Sequence, residues 1–199
     1  MSAKTNRGNN PKAGEVITVE PIKSVKDIAT IKKLLADKPR ESALFVVGIN
    51  TALRASDLLK LTAGQVRTIL ADEDGGLVRE SKTGKRRRVI FNKAAREALA
   101  RLLATREFDA AEPIFTGQRG QMSASYLCRL VASWCESVNL KGNYGSHSLR
   151  KTWGYHQRVT FGADIPTLMD ALGHSTQRQT LTYLCIQPEE IKSVYANEL

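Results

Sequence analysis

Apolar residues recur at helical spacing through most of the chain. Val25, Ile28, Ile31, Leu34 and Leu35 follow a Ser24–Asp27 start and predict a first helix. Pro39 opens a second through Ala43, Leu44, Val47 and Gly48, and a third covers 55–61. The character then changes. Segments 65–70, 76–81 and 86–91 read as short strands, with Asp74-Gly75-Gly76 and Thr83-Gly84 as turns between them. Helical spacing returns over 93–106 and 123–138, separated by Pro113-Ile114-Phe115 and a glycine-rich run from Gly117 to Gly120. It appears again over 148–159, 165–172, 178–184 and 189–197. The expected fold is mainly α with one small three-stranded antiparallel β-sheet, an α+β arrangement.

Residues 1–15 are polar and read as a flexible basic tail, and 16–22 as a short extended lead into the first helix. One domain is expected over 16–199. It ends in an amphipathic helix over 188–199, with Ile191, Val194 and Tyr195 on one side. The 199 residues amount to about one domain at roughly 150 residues each, large enough to bury a core without disulfides or metal. No apolar run is long enough for a membrane span, and the N-terminus lacks the apolar core of a secretory signal.

Thirty Lys+Arg stand against twenty Asp+Glu, a net charge of +10. That excess points to a polyanionic partner, nucleic acid foremost, with a merely solubilising basic surface as the alternative. The charge is spread along the chain rather than gathered on one amphipathic helix, which argues against a membrane-surface binder. The cysteines are Cys128, Cys135 and Cys185, odd in number and without a CxxC pair. They argue against a structural zinc site and for buried thiols in a reducing cytoplasm.

Four stretches carry candidate chemistry. Arg54 lies between two apolar segments, where a guanidinium is usually paired or holds an anion, and Asp57 could orient it; a plain surface pair is the alternative. Between Arg79 and Arg88 there are six Lys/Arg and one acid. A solvated charge run is the bland reading. A basic hairpin pressed into a nucleic-acid groove, delivering one lysine to a phosphate, is the sharper one. His147 and Arg150 share a face if their segment is helical, and a His and an Arg at a helix start suit a phosphate; a capping histidine with a solvent arginine would look the same. His174 is followed nine residues later by Tyr183, which alone would read as a core aromatic.

The set is more specific than its parts. In the order Arg54, Lys82, His147, Arg150, His174, Tyr183, carried by TALRASDLLKLT, SKTGKRRRV, HSLRKT and LGHSTQRQTLTY, the chain resembles the tyrosine recombinases, the phage-integrase family of site-specific DNA recombinases. The resemblance covers roughly 24–193. It implies a tyrosine recombinase catalytic-domain fold and attack of a tyrosine on a scissile phosphate, giving a 3′-phosphotyrosyl intermediate, with no metal and no other cofactor. It also implies roles. Tyr183 would be the nucleophile, Arg54 and Arg150 the phosphate clamp, and Lys82 the general acid, with Lys85 the fallback. His147 would be the proton acceptor, His174 a phosphate hydrogen-bond donor, and Asp57 a support to Arg54. Lys85, Arg86, Arg87, Arg88 and Lys151 are expected to touch DNA.

Most members of that family carry a helical N-terminal core-binding domain of about a hundred residues. Here only about 23 residues precede the first predicted helix, so the chain resembles the short members, such as the fimbrial-type DNA invertases, or a catalytic-domain fragment. The implied partners are double-stranded DNA and further copies of the chain, a tetramer on DNA joined through the C-terminal segment, with no membrane. The implied setting is a prokaryotic or phage-encoded, nucleoid-associated cytoplasmic protein. Integration, excision or inversion would use the same chemistry. The rivals are a type IB topoisomerase-like relaxing enzyme and a non-catalytic DNA-binding protein.

Overall fold

A computed structural model describes residues 19–117, 120–184, 192, 195 and 196. The tail over 1–15, Cys185 and nearly all of the C-terminal helix expected over 188–199 lie outside the described residues. Helix α1 (Val25–Leu34) starts where the Ser24 side chain accepts the Asp27 N–H at 3.1 Å. Helix α2 (Pro39–Asn50) is buried on every side from Ser42 to Ile49 and is the central element of the domain. A short α3 (Ala55–Leu58) follows, with Arg54 as its N-cap residue.

The segment expected as a first strand, 65–70, is instead part of helix α4 (Ala63–Ala71). Its β-branched residues suggested a strand. A reciprocal cap decides otherwise: Thr62 Oγ1 accepts the Gln65 N–H and the Gln65 side chain accepts the Thr62 N–H. Ala63, Val66 and Ile69 then form the buried face. The three-stranded sheet is therefore a two-stranded hairpin, β1 (Gly76–Arg79) with β2 (Arg86–Val89), in antiparallel register from Gly76↔Val89 to Arg79↔Arg86. A second small pair joins β3 (Thr116–Gly117) and β4 (Gly120–Gln121).

Helix α5 (Lys93–Leu103) lays Ala95, Ala98, Leu99 and Leu102 against α2. Helix α6 (Ala124–Ser137) buries Leu127, Val131, Trp134 and Cys135. Burial pushes the Cys135 thiol up to about 12, so it is an inert core group. Helix α7 (Ser146–Tyr155) runs into a π-helical turn, His156–Thr160. Gly48 is what lets α7 approach α2: a Cβ there would stand 2.6 Å from Leu149 Cδ1 and 3.0 Å from its Cβ. The lead into α1 braces the other side of α7, with the Ile22 N–H donating to Thr152 Oγ1 at 2.8 Å.

Helices α8 (Ile165–Leu172) and α9 (Gln177–Leu184) follow. Gly173 ends α8 in the left-handed region at φ 61°. Among the described residues, these two helices contribute no buried side chain to the main core. Ala52, Leu168, Leu172 and Leu184 form a small separate cluster, with Trp153 and Tyr183 packed against it.

Candidate active site

One cleft of about 780 Å³ opens where α3, the β1–β2 turn, α7 and α9 meet. Arg54, Lys82, His147, Arg150, His174 and Tyr183, far apart in the chain, all line it. Arg54 enters as the extended residue before α3. His147 and Arg150 lie one turn apart on α7, His174 follows the left-handed Gly173, and Tyr183 projects from α9.

Arg150 is 3% exposed. One terminal nitrogen, Nη2, donates to the Leu172 carbonyl, while Nη1 is buried without a hydrogen-bond partner among the described residues. Burial, with further lowering from Arg54, brings the guanidinium down to about 10; the nearby Tyr183 works the other way. It stays cationic at neutral pH. Tyr183 stands against it, with the ring centroid 5.9 Å from Arg150 Cζ, 5.5 Å from Lys151 Nζ and 5.3 Å from the His174 ring.

His174 Nδ1 is 3.0 Å from Oγ1 of the fully buried Thr180. Desolvation, then the charges of Arg150, Arg54 and Arg87, hold its imidazole below the ordinary 6.5. His147 keeps an exposed edge, but the cleft walls withdraw it enough from water, with Arg150, Lys151 and Arg54 adding repulsion, to lower it as well. Both imidazoles are thus biased toward the neutral form.

Lys82 and Lys85 flank Thr83-Gly84 at the tip of the hairpin; both are exposed and both face the cleft. The basic run beyond them divides by strand alternation. Arg86 and Arg88 are exposed, and Arg88 Nη1 donates to the Asp74 carbonyl at 3.1 Å. Arg87, grouped with them as a DNA contact on sequence, turns inward and donates from Nη1 to the Ala52 carbonyl at 3.0 Å. Lys151 is buried and lines the cleft beside Tyr183.

Asp57 is buried one turn after Arg54, but its Oδ2 is 4.0 Å from Arg54 Nη1, and its Oδ1 accepts the Ser81 N–H at 2.8 Å. The closer carboxylate is one that the sequence reading passed over. Glu80 Oε1 lies 2.7 Å from Arg54 Nη1 and 3.6 Å from Arg87 Nη1. Burial alone would raise its pKa. The Thr83 hydroxyl and the two guanidiniums outweigh that, so Glu80 is held below the usual carboxylate value. Strand phase was the available signal, because Val78 and Glu80 occupy the inward positions of β1 and its extension.

Two arginines, two imidazoles, the hairpin lysines and a tyrosine thus line one cleft, a set of side chains chemically suited to a phosphate. Residues 19–190 match the family model described as the phage integrase family. Over 185 residues the chain is 31% identical to a probable integrase/recombinase, YoeC, of Bacillus subtilis, covering 89% of this chain and 95% of that protein. It is 26% identical over 166 residues to the tyrosine recombinase XerC of Thermodesulfovibrio yellowstonii, covering 78% of this chain but 53% of the relative, so it spans about half of that protein's length. Among solved structures, the fold is similar to the XerH site-specific recombinase in a post-cleavage complex with a difH substrate, at a TM-score of 0.74 and 17% identity. That superposition covers 94% of this chain and 55% of XerH. XerA recombinase superposes at a TM-score of 0.70 with 19% identity, covering 94% and 66%. The chain belongs to the phage integrase family, and within it to the tyrosine-type site-specific recombinases.

Proposed function

We propose that this domain cuts and rejoins double-stranded DNA through a covalent bond between Tyr183 and a 3′-phosphate. The observation that carries the reading is the seating of the Tyr183 ring against Arg150 and His174, in the cleft that Arg54, Lys82 and His147 also line. The phenol oxygen attacks phosphorus in line with the 5′-oxygen. The P–Oη bond forms as the P–O5′ bond breaks, and the leaving oxygen takes a proton from Lys82, or from Lys85 if that lysine stands closer on DNA. The phenol proton passes to His147, whose lowered pKa leaves it able to accept one at neutral pH. A 5′-hydroxyl from a second strand then reverses the step. The bond energy is conserved, and no nucleotide is consumed.

Arg54 and Arg150 are the clamp on the non-bridging oxygens, with His174 donating a further hydrogen bond. Each arginine is worth about 3–4 kcal/mol by analogy with an oxyanion-hole donor, because it is in place before charge develops. The planar fork matches two oxygens, which an ammonium does not. The exposed Arg86 and Arg88, the hairpin lysines and a net charge of +10 support DNA as the polyanion. The XerH complex with difH and the Tn1549 integrase complexes with circular intermediate DNA, similar in fold, support the same substrate class. Assembly of several copies on DNA through 188–199 completes the proposal, as does residence in the cytoplasm with the nucleic acid.

The test is a nicked suicide duplex carrying the recombination site. The unaltered protein leaves a denaturation-resistant protein–DNA adduct. Tyr183→Phe leaves none while retaining DNA binding; adducts trapped in that variant would overturn the assignment of the nucleophile.

A further inference from the structure

Glu80 is 6% exposed, and a carboxylate so deeply placed is costly unless both oxygens are satisfied. Here both are. Oε1 meets Arg54 at 2.7 Å, with Arg87 at 3.6 Å behind it. Oε2 accepts the Thr83 hydroxyl at 2.7 Å. The backbone of the same residue closes the turn that carries Lys82: Glu80 N–H donates to the Lys85 carbonyl and Gly84 N–H to the Glu80 carbonyl, each at 2.9 Å. Asp57 makes the longer contact, its Oδ1 accepting the Ser81 N–H and its Oδ2 lying 4.0 Å from Arg54 Nη1.

We propose that Glu80 is a positioning residue for strand cleavage. It aims the Arg54 guanidinium with one carboxylate oxygen and fixes the Lys82 turn with the other, so that the phosphate clamp and the proton donor are registered to each other through a single side chain. The inference rests on the recombinase reading given above. Glu80 touches no phosphate itself, because its charge would repel one; it acts only through its two neighbours. Arg87 completes the staple. It contacts Glu80 from β2 and donates to the carbonyl of Ala52, two residues before Arg54, so strand and arginine loop move together.

The two arms separate experimentally. Thr83→Val removes the Oε2 contact, together with the Lys85 N–H that the same hydroxyl accepts at 3.3 Å, and leaves the Arg54 contact; Glu80→Gln keeps the shape and removes the charge from both. Adduct formation is timed on two suicide duplexes, one with an ordinary scissile phosphodiester and one with sulfur in place of the 5′-bridging oxygen. On the sulfur substrate the P–S bond breaks and the thiolate leaves with its electron pair, needing no proton. The expected result is a rate loss of about tenfold or more for both variants on the ordinary duplex, with DNA affinity within about twofold. On the sulfur duplex Thr83→Val returns close to the unaltered rate and Glu80→Gln stays slow. Unaltered rates for Glu80→Gln, its full rescue by sulfur, or a rate loss matched by lost affinity would each overturn the proposal. Absence of a Tyr183-dependent adduct with the unaltered protein would sink the recombinase reading instead. The positioning role is then decided by amide hydrogen exchange over 80–85. Glu80→Gln speeds it if the carboxylate fixes the turn, and unchanged exchange overturns the idea.

Discussion

Arg150 and Tyr183 belong to one chain and one cleft, the guanidinium carbon lying 5.9 Å from the centre of the phenol ring. A cation held there, with one buried nitrogen still lacking a hydrogen-bond partner among the described residues, is set for an anionic ligand. Arg150→Lys keeps the charge and loses the planar fork. Adduct formation should fall by about 10²–10³-fold, as on loss of an oxyanion-hole donor, while DNA affinity changes only a few-fold. Pre-steady-state cleavage and equilibrium binding, measured side by side, check this.

Desolvation and the neighbouring cations hold the imidazoles of His147 and His174 below their ordinary value. Their folded values lie under their unfolded ones, so the stability they contribute is fully present above about pH 6.5 and is lost as pH falls through the folded values. Imidazole NMR titration should show both midpoints below that of a model histidine. Cleavage should weaken on the acid side as His147 takes up its proton in advance. A midpoint above 6.5 for His147 would remove it as the proton acceptor.

Thr180 is fully buried and its hydroxyl meets His174 Nδ1 at 3.0 Å. Thr180→Val has nearly the same shape and leaves the ring unpinned. Loss of one such hydrogen bond costs about 1 kcal/mol, so cleavage should slow about five- to tenfold with the fold intact. Circular dichroism and adduct kinetics together separate this outcome from misfolding.

Arg86 and Arg87 are neighbours with opposite surroundings. Arg86→Ala should weaken DNA binding and reduce the slope of log affinity against log salt by about 0.9, with thermal stability nearly unchanged. Arg87→Ala strands part of the Glu80 charge and frees the Ala52 carbonyl, and should cost about 1–2 kcal/mol of stability, read as a lower Tm.

Gly48→Ala tests the approach of α7 to α2. The added methyl meets Leu149 at 2.6 Å in a close-packed core and should cost about 1–3 kcal/mol. Because Leu149 precedes Arg150, cleavage should fall further than the loss of folded protein explains; equal losses would confine the effect to stability.

The helical framework was readable because α1, α5 and α6 turn apolar residues inward at helical spacing and begin at clear caps, while α2, apolar all round, begins at Pro39. The α4 segment was misread because Val66, Thr68 and Ile69 carry a strand-like composition, and the decisive cap at Thr62 and Gln65 lies at and just before its start. The cleft residues were legible only as an ordered set, since none is distinctive alone. Glu80 escaped notice because six neighbouring cations made its stretch look like solvated charge. Its burial, like that of Arg87, follows from strand phase, which overrides composition wherever one face of a hairpin is covered.

The separate cluster under α9 has a dynamic consequence. Among the described residues, four buried side chains form the cluster beside the tyrosine helix, against a far larger set around α2 and α5. Local opening free energy tracks buried apolar contact, so amide exchange over 177–184 should be faster than in α2 and α5. The phenol proposed as the nucleophile thus sits over the smaller of the two described cores, where a few methyl groups hold its helix.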